Sequence, residues 1–239
     1  MNSVCVATYN GENYIVEQLQ SILTQIAPED EVIICDDCST DRTVERIEAL
    51  ADPRIRILYN GTHYFRDTFE KALRAAQGDL IFLSDQDDVW LEGKYRSCVE
   101  ALQHVDLVCT NSKLVNSRLE VINEDFFSIY GSGPGIMKNI VSNTYYGSCM
   151  AFRRSLLEAA LPFPPTHEIG HDTWLGLVAE GIGKVQFIRT PYLLYRRHSE
   201  NTTVIKSFWS RSKRPLRKRV MSRVIVLYYI SKYYLEHAR

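Results

Sequence analysis

Strand-like and helix-like segments alternate through the first 111 residues, and this alternation constrains the fold more than any other feature of the 239-residue sequence. Short apolar runs are separated by stretches of about 10–15 residues with helical spacing of apolar side chains. Such alternation predicts an α/β domain built on a mostly parallel sheet flanked by helices. The predicted strands are residues 3–8, 31–35, 54–59, 79–83 and 105–111, and the predicted helices are 12–26, 41–50, 65–76 and 91–104.

The second half of the sequence has a less regular order of elements. A short helical segment ends at a run of prolines that begins at Pro162, and a further helix is predicted to open at Gly170. Two strand-like runs follow that helix. The predicted elements are a loop over residues 116–135, helices over 155–160 and 170–179, and strands over 184–188 and 192–196.

Acidic side chains follow three of the first four predicted strands, beginning with Glu12 after the first. Ligands of open α/β sheets bind at the carboxyl ends of the strands, where the sequence places residues 36–37 and then Asp85, Asp87 and Asp88. Capping of a helix N-terminus explains Asp41 equally well. It does not explain Asp85, Asp87 and Asp88 together, because one cap does not need three carboxylates. Carboxylates in an Asp-x-Asp pattern are the hard ligands that Mg²⁺ or Mn²⁺ prefers when bound with substrate phosphates. The sequence therefore predicts a Mg²⁺ or Mn²⁺ site at this edge of the sheet.

The formal net charge of −1 averages two unlike parts of the chain. Residues 206–239 contain ten Lys or Arg and one acid, whereas residues 1–205 contain 18 basic and 28 acidic side chains. The acidic body argues against a nucleic acid partner. The basic tail also contains aromatic residues, and this combination predicts contact with an anionic membrane surface. The alternative is a solvated helix whose apolar face packs on the domain or on a second chain.

The cysteines and the apolar runs favour a cytoplasmic protein. Six cysteines show no disulfide framework, and Cys35-x-x-Cys38 lacks the second pair or nearby histidine that would complete a zinc site. The N-terminus lacks the pattern of a signal peptide. The apolar run over residues 224–230 is too short to span a bilayer. We therefore expect a location in the cytoplasm, peripheral on the inner face of the cell membrane.

Several motifs, in order along about residues 2–205, resemble family 2 glycosyltransferases, and most closely their bacterial rhamnosyltransferase-like branch. They are residues 4–12, 33–41, 78–79, 83–90 (LSDQDDVW), 147–153, 171–175 (HDTWL) and 195–198 (YRRH). The resemblance implies a GT-A fold with a Rossmann-like sheet. It also implies a nucleotide-sugar-binding half over residues 1–111, an acceptor-binding half over 112–205 and a separate basic helical tail over 206–239.

The resemblance also implies a role for each matching residue. Asp172 would be the catalytic base, and Asp85 and Asp87 would bind Mn²⁺ or Mg²⁺, with His198 as a further ligand. The nucleotide-diphospho-sugar donor would contact Ala7, Thr8, Tyr9, Asn10, Glu12, Asp37, Asp85 and Gln86. The saccharide acceptor would contact Trp90, Gly147, His171 and Trp174.

Structural alternatives exist for several of these residues. Asp172 also suits the positive end of a helix dipole, and Trp90 and Trp174 also suit a buried core. His198 is equally explained as a surface loop residue, and Arg196 either neutralises a phosphate or is solvated. The sequence departs from the family pattern at Cys38 and at residues 65–66, which leaves the preferred nucleobase open.

Physical chemistry favours the same reaction. A divalent cation stabilises a departing diphosphate, and a carboxylate must take the proton of a weakly nucleophilic hydroxyl. The resemblance further implies inverting transfer in bacterial surface polysaccharide biosynthesis, with dTDP-rhamnose as the first donor, a UDP-hexose as the second, and a saccharide acceptor that includes lipid-linked forms. The alternatives are a nucleotidyltransferase, although residues 8–18 lack the basic loop it needs, and a non-catalytic nucleotide-sugar binding module at the membrane.

Overall fold

The computed structural model describes residues 1–197 and 215–237. Nine strands within these ranges form one sheet in the order β3-β2-β1-β4-β8-β6-β9-β5, with β7 paired to β6. The strands are β1 (Ser3–Thr8), β2 (Glu31–Asp36), β3 (Ile55–Tyr59), β4 (Leu80–Asp85), β5 (Val89–Trp90), β6 (Leu107–Asn116), β7 (Val121–Asn123), β8 (Met150–Arg153) and β9 (Val185–Arg197).

Helices flank this sheet, which confirms the predicted α/β class. They are α1 (Ile15–Leu23), α2 (Thr43–Glu48), α3 (Phe65–Ala75), α4 (Lys94–Ala101), α5 (Phe126–Tyr130), α6 (Ile136–Val141), α7 (Arg154–Ala160), α8 (His171–Ile182) and α9 (Leu216–His237). A 3₁₀ turn over Gly147–Cys149 precedes β8.

The first four strands, β1 to β4, are parallel. β1 pairs with β2 on one side and with β4 on the other, and all six of its residues are buried. Continuous apolar runs of this kind suit strands covered on both faces. α1 buries Ile15, Leu19 and Ile22, which share one face of the helix. This packing brings the carboxyl ends of β1, β2 and β4 to one edge of the sheet.

The second half differs from the predicted boundaries. β9 is one strand from Val185 to Arg197 rather than two, because shifts in its register with β6 accommodate Pro191 opposite Asn111. β8 pairs antiparallel with both β4 and β6. The predicted loop over residues 116–135 contains β7 and α5.

α9 packs part of the basic tail against the domain. Its buried side includes Val226, Ile230 and Tyr233, and the Tyr233 ring lies edge-on to the Trp174 indole, with 5.5 Å between ring centres. This side of the helix therefore packs on the domain, as in the alternative given for the tail. Within the described ranges, no helix combines the length and apolar character needed to cross a membrane.

Candidate active site

A cavity of about 700 Å³ opens at the carboxyl ends of β1, β2 and β4. Residues from both halves of the chain line it, so the sheet edge and the start of α8 face one space. The lining residues are Ala7, Thr8, Tyr9, Asn10, Asp37, His63, Phe65, Thr68, Asp85, Gln86, Asp87, Tyr146, Gly147, Ser148, His171, Asp172 and Tyr195.

The Gln86 amide joins the loop after β1 to the loop after β4. This second loop contains Asp87 and Asp88, follows Asp85 directly, and is called the acidic loop below. Its Oε1 accepts hydrogen bonds from the Thr8 hydroxyl at 2.7 Å and from the Tyr9 backbone N–H at 2.8 Å. Its Nε2 donates to the Tyr9 carbonyl at 3.0 Å. Gly11 leaves room for this contact, since a Cβ there would lie 2.5 Å from Gln86 Oε1. Gln86 therefore holds the half-exposed Tyr9 ring in position at the cavity edge.

Asp37 is buried beside the same loop. Its backbone N–H donates to the Thr8 carbonyl at 2.9 Å, and its Oδ1 accepts from Asn60 Nδ2 at 3.2 Å and from the His63 N–H at 3.1 Å. These bonds fix the carboxylate at the cavity wall. The neighbouring Cys38 has a positive φ of 63° and an exposed thiol that donates to the Asn60 carbonyl at 3.0 Å.

Three carboxyl groups crowd the end of β4. Burial, followed by the charges of Asp88 and Asp87, raises the pKa of Asp85 well above its usual range. Burial and then the Asp87 charge raise the pKa of Asp88 to about 7. Asp85 Oδ1 and Asp88 Oδ2 are buried without a hydrogen-bond partner among the described residues. Such groups are costly in the absence of a compensating partner.

Arg196, at the end of β9, anchors this acidic loop. Its backbone N–H donates to Asp88 Oδ1 at 2.9 Å, and its Nε donates to the Asp87 carbonyl at 2.7 Å. The guanidinium also donates to the Ser117 carbonyl at 2.7 Å and pairs with Glu17 on α1. Arg196 is 3% exposed, so the solvated position predicted as one alternative for it is not found. Its anchoring role could not be predicted from the sequence, because its partners lie 79–179 residues away.

The fully buried Lys94 contacts both Trp90 on β5 and the 3₁₀ turn that precedes β8. Its Nζ donates to the Ser148 carbonyl at 2.5 Å and lies 4.6 Å from the centre of the Trp90 ring. Burial lowers the pKa of Lys94, while the charges of Asp88 and Asp85 oppose that shift.

Asp172 lines the cavity from the first turn of α8. Its Oδ1 accepts from the Thr173 N–H at 2.6 Å, and its Oδ2 lies 3.5 Å from Asn143 Nδ2. Burial raises the pKa of Asp172 to about 6, although the bonds to Thr173 act in the other direction. A carboxylate with this pKa is ionised at neutral pH and is a better proton acceptor than an ordinary aspartate.

His171 is neutral and buried next to Asp172. Its ring stacks on Phe69 with 4.2 Å between ring centres, and burial, with a smaller effect of Arg66, lowers its pKa to about 3. Nε2 has no hydrogen-bond partner among the described residues. A Cβ at Gly147 would lie 2.8 Å from this nitrogen. The absence of a side chain at Gly147 therefore leaves the nitrogen room beside the cavity.

The structure places eleven of the predicted site residues on the cavity wall. Three others are elsewhere. Glu12 pairs with Arg42, the Trp90 indole donates to Ser84 Oγ at 3.3 Å, and the Trp174 indole donates to the Ala160 carbonyl at 2.8 Å.

These positions correct the predicted direct contacts of Glu12 with the donor and of Trp90 and Trp174 with the acceptor. Both indoles are less than 5% exposed, because they fill the core behind the cavity. His198 lies outside the described residues. The wall also contains residues to which the sequence analysis assigned no role, although Ser148 and Tyr195 lie within the matched motifs 147–153 and 195–198: His63, Phe65, Thr68, Tyr146, Ser148 and Tyr195.

The carboxyl cluster has the chemistry of a divalent cation site. Among the described residues, no three His, Cys, Asp or Glu side chains converge as a complete ligand set. A Mg²⁺ ion bound with substrate phosphates needs only one or two protein carboxylates. The unpartnered oxygen of Asp85 and the Asp87 carboxyl on the cavity wall fit that requirement.

Comparison with known proteins gives consistent matches. The family model described as glycosyl transferase family 2 matches residues 3–161. The dTDP-rhamnosyl transferase RfbG of Shigella flexneri is 28% identical over 82% of this chain and 72% of its own length. The UDP-Glc:alpha-D-GlcNAc-diphosphoundecaprenol beta-1,3-glucosyltransferase WfgD of Escherichia coli is 28% identical over 74% of this chain and 70% of its own length.

A solved structure shares the fold. TarS 1–349 of Staphylococcus aureus, in complex with UDP-GlcNAc, matches with a TM-score of 0.68 and 21% identity, over 85% of this chain and 61% of that chain. This similarity supports the GT-A architecture. The chain spans less than two thirds of some of its curated relatives, namely 65% and 60% of the lengths of two of them.

Proposed function

Because this chain belongs to glycosyl transferase family 2, we propose that it transfers a sugar from a nucleotide diphosphate to a saccharide hydroxyl, with inversion at the anomeric carbon. One observation carries the proposal. The raised-pKa carboxyl of Asp172, in the first turn of α8, lines the same cavity as the carboxyls of Asp85 and Asp87, at the end of β4. Such a cavity can hold a donor between a leaving-group site and a proton acceptor.

The nucleotide occupies the wall formed by the ends of β1 and β2. In this proposal, the base lies against Tyr9 and within reach of the Asp37 carboxylate, while the backbone at Ala7 and Thr8 provides further contacts. The support is the fixed geometry of this wall, where Gln86 holds Tyr9 and where Asn60 holds Asp37. Gln86 thus acts on the donor through the Tyr9 loop, since both ends of its amide are bonded there.

Asp85 and Asp87 would hold Mn²⁺ or Mg²⁺ together with the donor phosphates, with His198 proposed as a further ligand. When bound, the cation supplies positive charge that stabilises the departing diphosphate. Arg196 keeps the acidic loop in place through its bonds to Asp87 and Asp88. The support for a cation is the unpartnered, buried oxygen of Asp85.

Asp172 accepts the proton of the acceptor hydroxyl. As the hydroxyl oxygen bonds to the anomeric carbon, the bond from that carbon to the diphosphate breaks, and the proton passes to the Asp172 carboxylate. His171 and Gly147 lie beside this position and are proposed to contact the acceptor. The neutral Nε2 of His171 provides one hydrogen-bonding atom for a sugar hydroxyl.

The donor and acceptor are proposed from the relatives. RfbG is named a dTDP-rhamnosyl transferase, which supports dTDP-rhamnose as the first donor, and WfgD is named for UDP-Glc, which supports a UDP-hexose as the second. WfgD is also named for a diphosphoundecaprenol-linked acceptor. We therefore place the reaction in bacterial surface polysaccharide biosynthesis, at the inner face of the cell membrane, with a lipid-linked saccharide as acceptor.

A panel of nucleotide sugars tests the donor site. With Mn²⁺ present, the correct donor at about a hundred times its Kd should stabilise the fold by about 2.7 kcal/mol, which raises the melting temperature by several degrees. Including dTTP together with a sugar 1-phosphate separates a nucleotidyltransferase, which would join the nucleoside monophosphate to the sugar phosphate and release diphosphate. If no nucleotide diphosphate or nucleotide sugar raised the melting temperature, the proposed function would be wrong.

The Asp172→Asn variant tests the catalytic base and is our first specific prediction. Transfer should fall by about 10²–10⁴-fold, whereas donor stabilisation should remain because the proposed nucleobase contacts are made by Tyr9 and Asp37 and not by Asp172. The exposed Asp79→Asn variant is the matched control and should transfer normally. Normal transfer by Asp172→Asn would contradict the assignment of the base. A wild-type protein that binds the donor but never transfers the sugar would be a non-catalytic binding module.

A further inference from the structure

α9 has a second apolar side that faces solvent. This side continues onto α6, and together the two form a surface that we call the α6–α9 face. Each of its members exposes at least 45% of its surface. Isolated exposed apolar residues are ordinary, but a contiguous group marks a contact surface. The members are Met137 and Val141 on α6 and Leu216, Val220, Val224 and Leu227 on α9.

The two helices are joined at this face. Arg223 on α9 donates from Nε and Nη2 to the Val141 carbonyl at 3.1 and 2.9 Å. Residues 216, 220, 224 and 227 are spaced by four, four and three positions, which places them on one side of a helix. The side that packs on the domain contains Val226 and Ile230 instead. α9 is therefore apolar on two sides, of which the domain covers one.

The face is flanked by basic side chains. Arg217 and Lys218 are exposed and Arg219 is half-buried in the first turn of α9. Over residues 206–235 the sequence contains nine Lys or Arg and no Asp or Glu. An apolar stripe beside a basic cluster matches the surface of an anionic bilayer, where bases meet headgroup phosphates and apolar side chains enter the interface.

We propose that the α6–α9 face docks on the surface of an anionic lipid bilayer. A second copy of the chain is a poorer fit, because a twofold contact would place the basic cluster opposite itself. Docking itself does not depend on the sugar-transfer reaction. Its consequence for that reaction is positional: α9 packs on α8, which carries Asp172 in its first turn. The helix that carries the proposed catalytic base therefore packs directly on the helix that faces the membrane.

Vesicle sedimentation with the full chain tests this proposal. At low salt, the protein should bind vesicles of phosphatidylcholine mixed with phosphatidylglycerol and should not bind pure phosphatidylcholine. Salt should weaken the binding because it screens the charges. Arg217→Gln/Lys218→Gln/Arg219→Gln should weaken binding by about 100-fold, since each base contributes about fivefold. Val220→Ser/Val224→Ser should weaken it by about tenfold.

Matched controls distinguish binding through this face from nonspecific effects of surface charge and surface hydrophobicity. Arg74→Gln/Arg96→Gln/Arg118→Gln removes the same charge from other exposed positions, and Val121→Ser/Ile122→Ser removes exposed apolar groups from β7. Both should bind vesicles like the wild type. Equal losses in the controls, or no binding of the wild type to anionic vesicles, would overturn the proposal.

Two further measurements keep the outcomes distinct. Light scattering that showed a dimer dispersed by Val220→Ser/Val224→Ser would identify a second copy as the occupant and overturn lipid docking. Donor stabilisation and transfer to a soluble acceptor should be unchanged in the face variants. Failure of vesicle binding therefore leaves the proposed transferase activity intact, and failure of transfer leaves the docking result intact.

Discussion

At the scale of single residues, burial tunes the groups that face the cavity in opposite directions. It raises the pKa of Asp172 to about 6 and lowers that of His171 to about 3. At neutral pH, Asp172 is therefore charged and His171 is neutral. Two adjacent titratable residues thus have different chemical roles because both have lost solvent contact.

The pKa of Asp172 predicts the pH dependence of transfer. A base acts only when deprotonated, so the rate should rise as the pH increases through about 6 and then level off. The stability effect has the opposite sign. The folded state holds this proton more tightly than the unfolded state does, so the contribution of Asp172 to stability falls as the pH rises from about 4 to 6. A pH–rate profile without an inflection near 6 would argue against this base.

Arg196 offers a second test at the residue scale. Arg196→Lys keeps the charge but cannot hold the Asp87 carbonyl, the Ser117 carbonyl and Glu17 at once. We expect about 10–100-fold weaker Mn²⁺-dependent donor binding, measured by calorimetry. Arg54→Lys is the control, because Arg54 spans Asp52 and the Ile26 carbonyl away from the cavity. Equal loss in both variants would show a general loss of stability instead.

At the scale of elements, the sequence predicted those strands and helices whose apolar side chains recur with a regular local spacing. The first four strands and the helices between them follow apolar periodicity, and their predicted positions are confirmed to within a few residues. α5 and α6 could not be predicted, because they are short and depend on packing: α5 buries Phe126 and Phe127 in the core. The merging of two predicted strands into β9 depends on its pairing with β6, which no local window contains.

The same limit applies to the site. The motifs pointed to Asp37, Asp85 and Asp172 because these follow strands or open a helix. They did not identify Arg196 as the anchor of the acidic loop, because that role exists only after β9 has been brought beside β4's loop. They also placed Trp90 at the acceptor, since nothing in its local sequence shows which side of the loop faces the core.

The junction of α8 and α9 gives a prediction at this scale. The two helices approach closely at Gly181, where a Cβ would lie 2.0 Å from the Tyr234 ring. Gly181→Ala should therefore displace α9 and destabilise the fold by about 1–3 kcal/mol, measured by denaturant unfolding. Gly61→Ala is the control, since its nearest atom would be 3.7 Å away. Equal stability of both variants would show that α9 adjusts without cost.

At the scale of the whole molecule, the acidic body and the basic tail are not independent units. The sequence predicted a boundary at residue 205 from the change in charge and from the extent of the family resemblance. In the structure, α9 covers Trp174 with Tyr233, and Tyr234 donates to the Leu177 carbonyl. A change in charge along a chain therefore does not mark a change in the hydrophobic core.

Truncation tests this coupling. A chain that ends at residue 205 should have a lower melting temperature and bind more of an apolar dye, because the side of α8 that packs on α9 becomes exposed. Thermal unfolding of the two chains side by side is the measurement. A truncated chain with an unchanged melting temperature would restore the tail as a separate appendage.

The cysteines have a practical consequence for studying this protein. All six lie in the described part of the chain, and five of them are buried. Cys38 alone is exposed, beside Asp37 and the cavity. The native fold thus provides one accessible attachment point for a thiol-reactive fluorophore, without any engineering of the chain. Its position next to the proposed nucleobase site makes it a natural optical reporter of occupancy.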